Sequence, residues 1–386
     1  MNIILTGIDG YAGWPTALAL SRSFPEGRII GIDNLARRRW VDECGSVSAI
    51  PIESMQVRIE VAKQYGYSNI SFIEGDLIDR DFVYNIIEMY RPGVIVHLAA
   101  QPSAPYSQIS GERACYTQFN NNQSTRNLLW GIKEKKLTMD THFIETTTMG
   151  VYGTPEFEIP EGFIEVERKG KKDILPFPLT AGSWYHMSKT HDVNNLFLAN
   201  KLWKMTITDL RMAIVFGTDT EDTKKDPRLA TRFDFDYYFG VVGNRFAAMA
   251  IAGYPLIIYG KGEQRKPQVS LNDVVNSTVH VVKKELNGNM EVFNQALGAV
   301  SVIELATGIQ KGAAKVGQKV ELKHIPNPRV EKEEHKMEID NAKFLKLLGR
   351  KPEGIEESLQ EVMVTLQKYK GTIIAYKDRF LPQELK

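Results

Sequence analysis

Short apolar runs alternate with helical patterns through the first half of the chain. Residues 2–6 (NIILT) form an apolar run that stops at Gly7, and a helical pattern through Ala17, Leu18, Ala19 and Leu20 follows. Further runs lie at 28–32, ending at Asp33, at 70–77, at 94–101, at 142–147, leading to Thr148, and at 205–211. Helical patterns at 79–90, at 123–135 and from Tyr185 onward fill the gaps. Strands alternating with helices in this way predict βαβ crossovers and a parallel, doubly wound sheet. Beyond residue 216 the rhythm changes. The polar stretch 219–225 reads as an exposed loop, 244–252 as a helix, 256–259 as a strand, 260–266 as a glycine-rich basic loop and 291–295 as a strand. Helical patterns cover 302–316 and 339–368, whereas 36–54 fits no simple element and is expected to form a loop over a ligand.

Glycine punctuation adds chemistry to this pattern. Gly7, Gly10 and Gly13 stand between the first run and the first helix, where a pyrophosphate can rest on helix N–H groups with no side chain in the way. The second run ends at Asp33, placed to accept from a ribose 2′-hydroxyl and to repel a 2′-phosphate, so NAD is favoured over NADP. Ligands of open α/β sheets sit at the carboxyl ends of the strands, and Gly7, Asp33, Asp76, Ala99 and Thr148 all fall there. The expected fold class is therefore α/β, a Rossmann-type sheet (1–216) with a smaller C-terminal α/β lobe (217–386) and chain exchange between the two. Tyr185 and Lys189 are four residues apart on one helical pattern and so share a face. The lysine cation would favour the phenolate, fitting the tyrosine to move a proton at a sugar hydroxyl.

Composition narrows the classes further. A net charge of +1 with mixed signs argues against a nucleic-acid or membrane surface, and no run of 18 apolar residues exists. Cys44 and Cys115 are the only cysteines and have no metal spacing, so no metal is expected and a reducing cytoplasm fits.

The glycine turn, Asp33, Asp76, the 97–100 run (HLAA), Asn121, Thr148, Tyr185 and Lys189 together resemble the extended short-chain dehydrogenase/reductase family, which includes NAD-dependent nucleotide-sugar epimerases and dehydratases. The stretches 33–35 (DNL), Gln101 with 103–107 (SAPYS), 116–118 (YTQ), 148–150 (TMG), 152–155 (YGTP) and 326–331 (PNPRVE) are similar to one branch, whose members build a sulfonated UDP-sugar. Val151 and Pro102 depart from the plant-type members of that branch, which carry Glu and Arg there. The resemblance implies UDP-glucose and sulfite as substrates, formal classification among hydrolases of carbon–sulfur bonds, and a homodimer or higher homo-oligomer. It implies NAD held by Gly7, Gly10, Tyr11, Ala12, Gly13, Asp33, Asn34, Arg37, Asp76, Leu77, Leu98, Ala99, Ala100, Asn121, Tyr185 and Lys189. Thr148, Tyr185 and Lys189 would be catalytic, with His186 moving the C5 proton or orienting sulfite. Substrate contacts would come from Gln101, Tyr106, Thr148, Met149, Gly150, Asn244, Arg245, Lys261, Gln264, Arg265, Lys266 and Arg329. Sugar 4,6-dehydratases typically carry Asp-Glu where this chain has Met149-Gly150. The alternative reading is a UDP-glucose 4-epimerase or another nucleotide-sugar dehydratase.

Overall fold

The computed structural model describes residues 1–326 and 336–382. The first half contains β1 (Asn2–Thr6), α1 (Gly13–Ser23), β2 (Arg28–Asp33), α2 (Ala36–Glu43), α3 (Met55–Gln64), β3 (Ile70–Glu74), α4 (Arg80–Tyr90), β4 (Val94–His97), α5 (Gly111–Glu134) and β5 (His142–Thr148). A hairpin, β6 (Phe163–Arg168) and β7 (Lys171–Pro176), precedes α6 (Trp184–Trp203), β8 (Thr206–Met212) and β9 (Ile214–Phe216). The rest comprises α7 (Val242–Ala252), β10 (Leu256–Tyr259), β11 (Arg265–Ser270), α8 (Leu271–Val282), β12 (Met290–Gln295), β13 (Gly298–Ser301), α9 (Val302–Lys315), β14 (Leu322–Ile325), α10 (Ala342–Leu348), α11 (Ile355–Leu366) and α12 (Lys370–Ala375).

Seven strands in the order β12-β8-β5-β4-β1-β2-β3 make one sheet, parallel throughout. Its central strands are apolar on both faces because helices cover both, as parallel crossovers require. Successive residues feed opposite cores: Ile3 and Leu5 join one cluster and Ile4 the other, and Val94 and Val96 separate likewise from Ile95. A further core forms between α7, α9 and α11, where Phe246, Ile251, Leu305, Ile309, Leu359 and Met363 are buried together. The described helices include none long and apolar enough to cross a membrane.

Several local expectations change. The 36–54 stretch is not simply a loop: α2 starts there after Leu35, which adopts a left-handed φ of 57°. The 219–225 segment is only partly exposed, at Glu221, Lys224 and Lys225. Thr220, Asp222 and Thr223 are buried, since Thr223 Oγ1 caps the Thr220 N–H at 2.7 Å and the Tyr67 hydroxyl donates to Asp222 at 2.5 Å. The 339–368 pattern breaks into α10 and α11, because Gly349 ends the first in a left-handed conformation (φ 67°). The β6–β7 hairpin and α8 carry no signal that stood out from the sequence. The 291–295 strand, β12, joins the central sheet beside β8.

A belt from Gly217 to Gly240 crosses the glycine-turn end of the sheet. The Trp14 indole N–H donates to the Leu229 carbonyl (2.9 Å), Thr231 Oγ1 donates to the Tyr11 carbonyl (2.7 Å), and the Ala49 N–H donates to the Phe233 carbonyl (2.9 Å).

Candidate active site

The carboxyl ends of β1, β2, β4, β5 and β8 open into a cavity of about 560 Å³ closed by that belt. Gly7, Gly10, Tyr11, Ala12 and Gly13 form its floor. Gly7 has φ +77°, and a Cβ there would lie 2.8 Å from the Ala99 backbone nitrogen. A Cβ on Gly13 would lie 2.8 Å from the Gly7 carbonyl carbon and closer still to its oxygen. The first turn of α1 has no side-chain cap, so its N–H groups face the cavity unclaimed by side chains. This cradle fits a dinucleotide pyrophosphate.

At the end of β2, Asp33 accepts from the backbone N–H groups of Asp9 (2.9 Å) and Leu35 (2.8 Å). Burial, reinforced by the Asp9 carboxylate, pushes its carboxyl up to about 6. Asn34 donates to Asp76 Oδ2 at 2.9 Å, joining two more wall residues. Arg37 reaches the belt, with Nε and Nη2 both donating to Asp234 Oδ2 (3.1 and 2.6 Å). Arg232 pairs with the same carboxylate, and the two cations outweigh burial to hold Asp234 below the usual carboxylate range. Leu77, Leu98, Ala99 and Ala100 complete the expected cofactor wall. Asn121 is set behind it. Its amide clamps the Gln101 backbone (2.8 and 3.1 Å) and donates to Ser188 Oγ (2.9 Å), tying the β4 loop to α6.

At the reacting end, Thr148, Tyr185, His186 and Lys189 share the cavity wall. Thr148 closes β5, and its side chain accepts from the Gly150 N–H (3.1 Å). Ser183 caps α6 by accepting from the His186 N–H, which starts the helix where Tyr185 and Lys189 rise from one face. The Thr148 hydroxyl lies close enough to the Tyr185 phenol to favour its ionised form. Burial raises the Tyr185 phenol, and Lys189 and Thr148 pull it back only in part. The expected depression by Lys189 is therefore present but outweighed. Burial pushes His186 down to about 4, and Lys266 adds to the effect, so the ring is neutral at neutral pH. His186 Nδ1 pairs with Ser183 Oγ (3.0 Å), while the Nε2 edge abuts Gly150.

The other expected substrate residues are distributed unevenly. Asn244 and Arg245 line the cavity at the start of α7. Gln101 is fully buried and folds back on Ser103, accepting from its N–H (2.6 Å) and donating to its carbonyl (3.2 Å). Tyr106 sits behind the wall, its hydroxyl donating to Glu43 (2.9 Å). Met149 is buried in the sheet core. Lys261, Gln264, Arg265 and Lys266 are off the wall: Arg265 pairs with Glu304 (2.9 Å), and Lys266 is exposed but near enough to act on His186. Arg329 lies outside the described residues. Wall residues that the sequence did not single out include Trp40, Asn120, Ser124, Asp234 and Phe239. Beneath Lys189, the buried carboxyls of Glu145 (3.1 Å) and Asp192 (3.4 Å) also escaped notice, because nothing in an apolar strand or a mixed helix marks them.

A glycine cradle, an acidic residue at the second strand and a Thr-Tyr-Lys group at the fifth strand and its helix define a dinucleotide-dependent oxidoreductase scaffold. The chain belongs to the NAD dependent epimerase/dehydratase family, whose pattern matches residues 3–296. It is 39% identical to the UDP-sulfoquinovose synthase of Sulfolobus acidocaldarius over 99% of this chain and 97% of that one. It is also 39% identical to the chloroplastic UDP-sulfoquinovose synthase of Spinacia oleracea, over 98% of this chain and 76% of that one. Among solved structures, the UDP-glucose 4-epimerase of Thermotoga maritima, with UDP-glucose, superposes with a TM-score of 0.69 at 21% identity, covering 95% of this chain and 99% of the other.

Proposed function

We propose that the chain is a UDP-sulfoquinovose synthase that converts UDP-glucose and sulfite to UDP-sulfoquinovose and water. The observation that carries the reading is the company kept by Thr148, Tyr185 and Lys189. Where a 4,6-dehydratase would present two carboxyls after the threonine, Met149 turns into the core and Gly150 leaves room for a neutral His186. Similarity over nearly the whole of this chain to two synthases supports the same conclusion.

The glycine cradle and Asp33 would hold NAD, which would supply a hydride acceptor for C4 oxidation and the hydride for the closing reduction. Tyr185 takes the C4 hydroxyl proton, with the Thr148 hydroxyl beside its phenol. Lys189 lowers the cost of the phenolate. The 4-keto group acidifies C5–H, and His186 receives that proton and passes it to the departing C6 hydroxyl, which leaves as water. Sulfite adds to C6 of the resulting enone and C5 is reprotonated. Asn244 and Arg245, at the start of α7, hold the UDP diphosphate. Phe119 and Trp130 on α5, with Leu198 and Leu202 on α6, are exposed on neighbouring helices and form the face of a homodimer. The enzyme works in a reducing compartment, such as the cytoplasm.

The test is mass analysis of UDP-glucose and NAD incubated with the purified protein, with and without sulfite. A sulfite-dependent product heavier than substrate by sulfite less water is expected. UDP-galactose formed regardless of sulfite would refute the synthase and point to an epimerase.

A further inference from the structure

A row of buried polar side chains crosses four adjacent strands of the sheet. The strand register aligns Thr6 with His97, His97 with Glu145 and Glu145 with Asp209, across β1, β4, β5 and β8. All four are buried, at most 1% exposed, on the face covered by α5 and α6. Their contacts form one line. Thr6 Oγ1 meets His97 Nδ1 at 2.7 Å, His97 Nε2 meets Thr125 Oγ1 at 3.3 Å, and Thr125 Oγ1 meets Glu145 Oε1 at 3.3 Å. Glu145 Oε1 then meets Lys189 Nζ at 3.1 Å. The row therefore ends directly beneath the Tyr185–Lys189 pair.

Few charges face this point, and they do not balance. From α6 come Lys189, Asp192 and Tyr185; from α5 come Thr125 and Asn122, whose amide donates to Asp192 (2.8 Å). From β4 comes His97, held neutral by burial and by Lys189. From β8 comes Asp209, already engaged by Arg211 (2.9 Å) and Thr147. One ammonium thus serves two carboxyls and a phenol in a dry site. Among the described residues Glu145 Oε2 has no hydrogen-bond partner. An ionised carboxylate would bear that vacancy poorly, because a buried charge needs its full set of donors. Burial raises the Glu145 carboxyl well above its ordinary range, as the same geometry demands.

We propose that Glu145 is a positioning residue that competes with Tyr185 for the single Lys189 ammonium and so sets the pH at which Tyr185 gives up its proton. With Glu145 neutral, its Oε1–H donates to Thr125, Thr125 to His97 Nε2, and His97 Nδ1–H to Thr6, leaving Lys189 to favour the phenolate. With Glu145 ionised, every donor in the line reverses, Lys189 is neutralised and the phenolate is disfavoured. The two arrangements use the same atoms, so the line accommodates either without a change of fold.

This rests on Tyr185 being the proton acceptor proposed above, and the test separates the two. The phenolate difference absorption of NAD-loaded protein, wild type minus Tyr185→Phe, reports the Tyr185 midpoint without any substrate. The same difference is taken in the Glu145→Gln background. Glu145→Gln is expected to lower the midpoint by about one pH unit, about tenfold in ionisation constant. Thr125→Val, which removes the donor to ionised Glu145, moves it the same way by less and serves if Glu145→Gln does not fold. The acid limb of NAD reduction by UDP-glucose should shift in parallel. A midpoint unmoved or raised in both variants overturns the proposal and leaves Glu145 a structural brace. A shifted midpoint with no NAD reduction in the wild type would sustain the proposal while sinking UDP-glucose as substrate.

Discussion

Gly150→Ala isolates the step that separates a sulfosugar synthase from a simple epimerase. Gly150 does not have a positive φ, so alanine brings no backbone strain there. Its Cβ would lie 2.9 Å from His186 Cε1 and closer to Cδ2 and Nε2. Carbon contacts settle near 3.5 Å, so the ring must retreat by roughly 1 Å. His186 is pinned on its other side by Ser183 and by its place in the first turn of α6, so the retreat breaks its alignment with the sugar. A 1 Å misplacement of a reacting group costs about 100-fold. Tyr185, Thr148 and Lys189 hold their places through other contacts, so C4 oxidation should survive. Single-turnover nicotinamide absorbance is expected to report near-normal reduction by UDP-glucose, while mass analysis shows sulfosugar formation slowed about 100-fold. Wild-type sulfosugar formation by this variant would refute a role for His186 between C5 and C6. Equal loss of both steps would mean that the helix start, not the imidazole, had been displaced.

Four other perturbations test separate parts of the site. Tyr185→Phe removes the proposed proton acceptor and should slow C4 oxidation by about 10²–10⁴-fold, with NAD still bound after gel filtration. Asp33→Asn acts through pH: the folded carboxyl near 6 lies above its unfolded value, so the cofactor-free protein loses stability as pH rises between the two. Denaturant titration should find the variant gaining on wild type as pH rises through that window, although its affinity for NAD falls. Asp234→Ala leaves the Arg37 and Arg232 guanidiniums buried without their carboxylate, at a cost of about 3–5 kcal/mol, read as a lower Tm and faster loss of NAD. Leu198→Glu with Leu202→Glu charges the exposed α6 face and should turn a dimer into a monomer in sedimentation, without releasing NAD.

Which of these features the sequence could reveal depended on distance along the chain. The glycine turn, Asp33 at a strand end and the Tyr185–Lys189 spacing are local signals, each within a few residues of the element that positions it. The Thr6–His97–Glu145–Asp209 row is the opposite case. Each member sits on a different strand with nothing in its own neighbourhood to single it out, and only the pairing of four strands brings them together. The belt was misread for a related reason. Its polar residues suggested solvent, yet Asp222 and Thr223 are buried through partners such as Tyr67, which is 155 residues away from Asp222. Gln101 reads as a pocket residue because its neighbours are, but its own amide is spent on closing the turn that puts Pro102 and Ser103 on the wall.

The two ends of the cavity are stiffened by different means, and the difference follows from what each must do. At the cofactor end, Asp234 is ionised between two guanidiniums, and its surroundings favour that one state. Fixed charge suits a clasp that has only to keep a ligand in place through a cycle that regenerates it. At the reacting end, two carboxyls share one ammonium with a phenol, and no assignment of protons satisfies every group. Such a cluster stabilises the fold poorly, since burying each charge costs more than an apolar side chain would. Its retention beside Tyr185 makes sense where a proton must be taken from C4 and later returned, because a site satisfied in only one protonation state would do only half of that work.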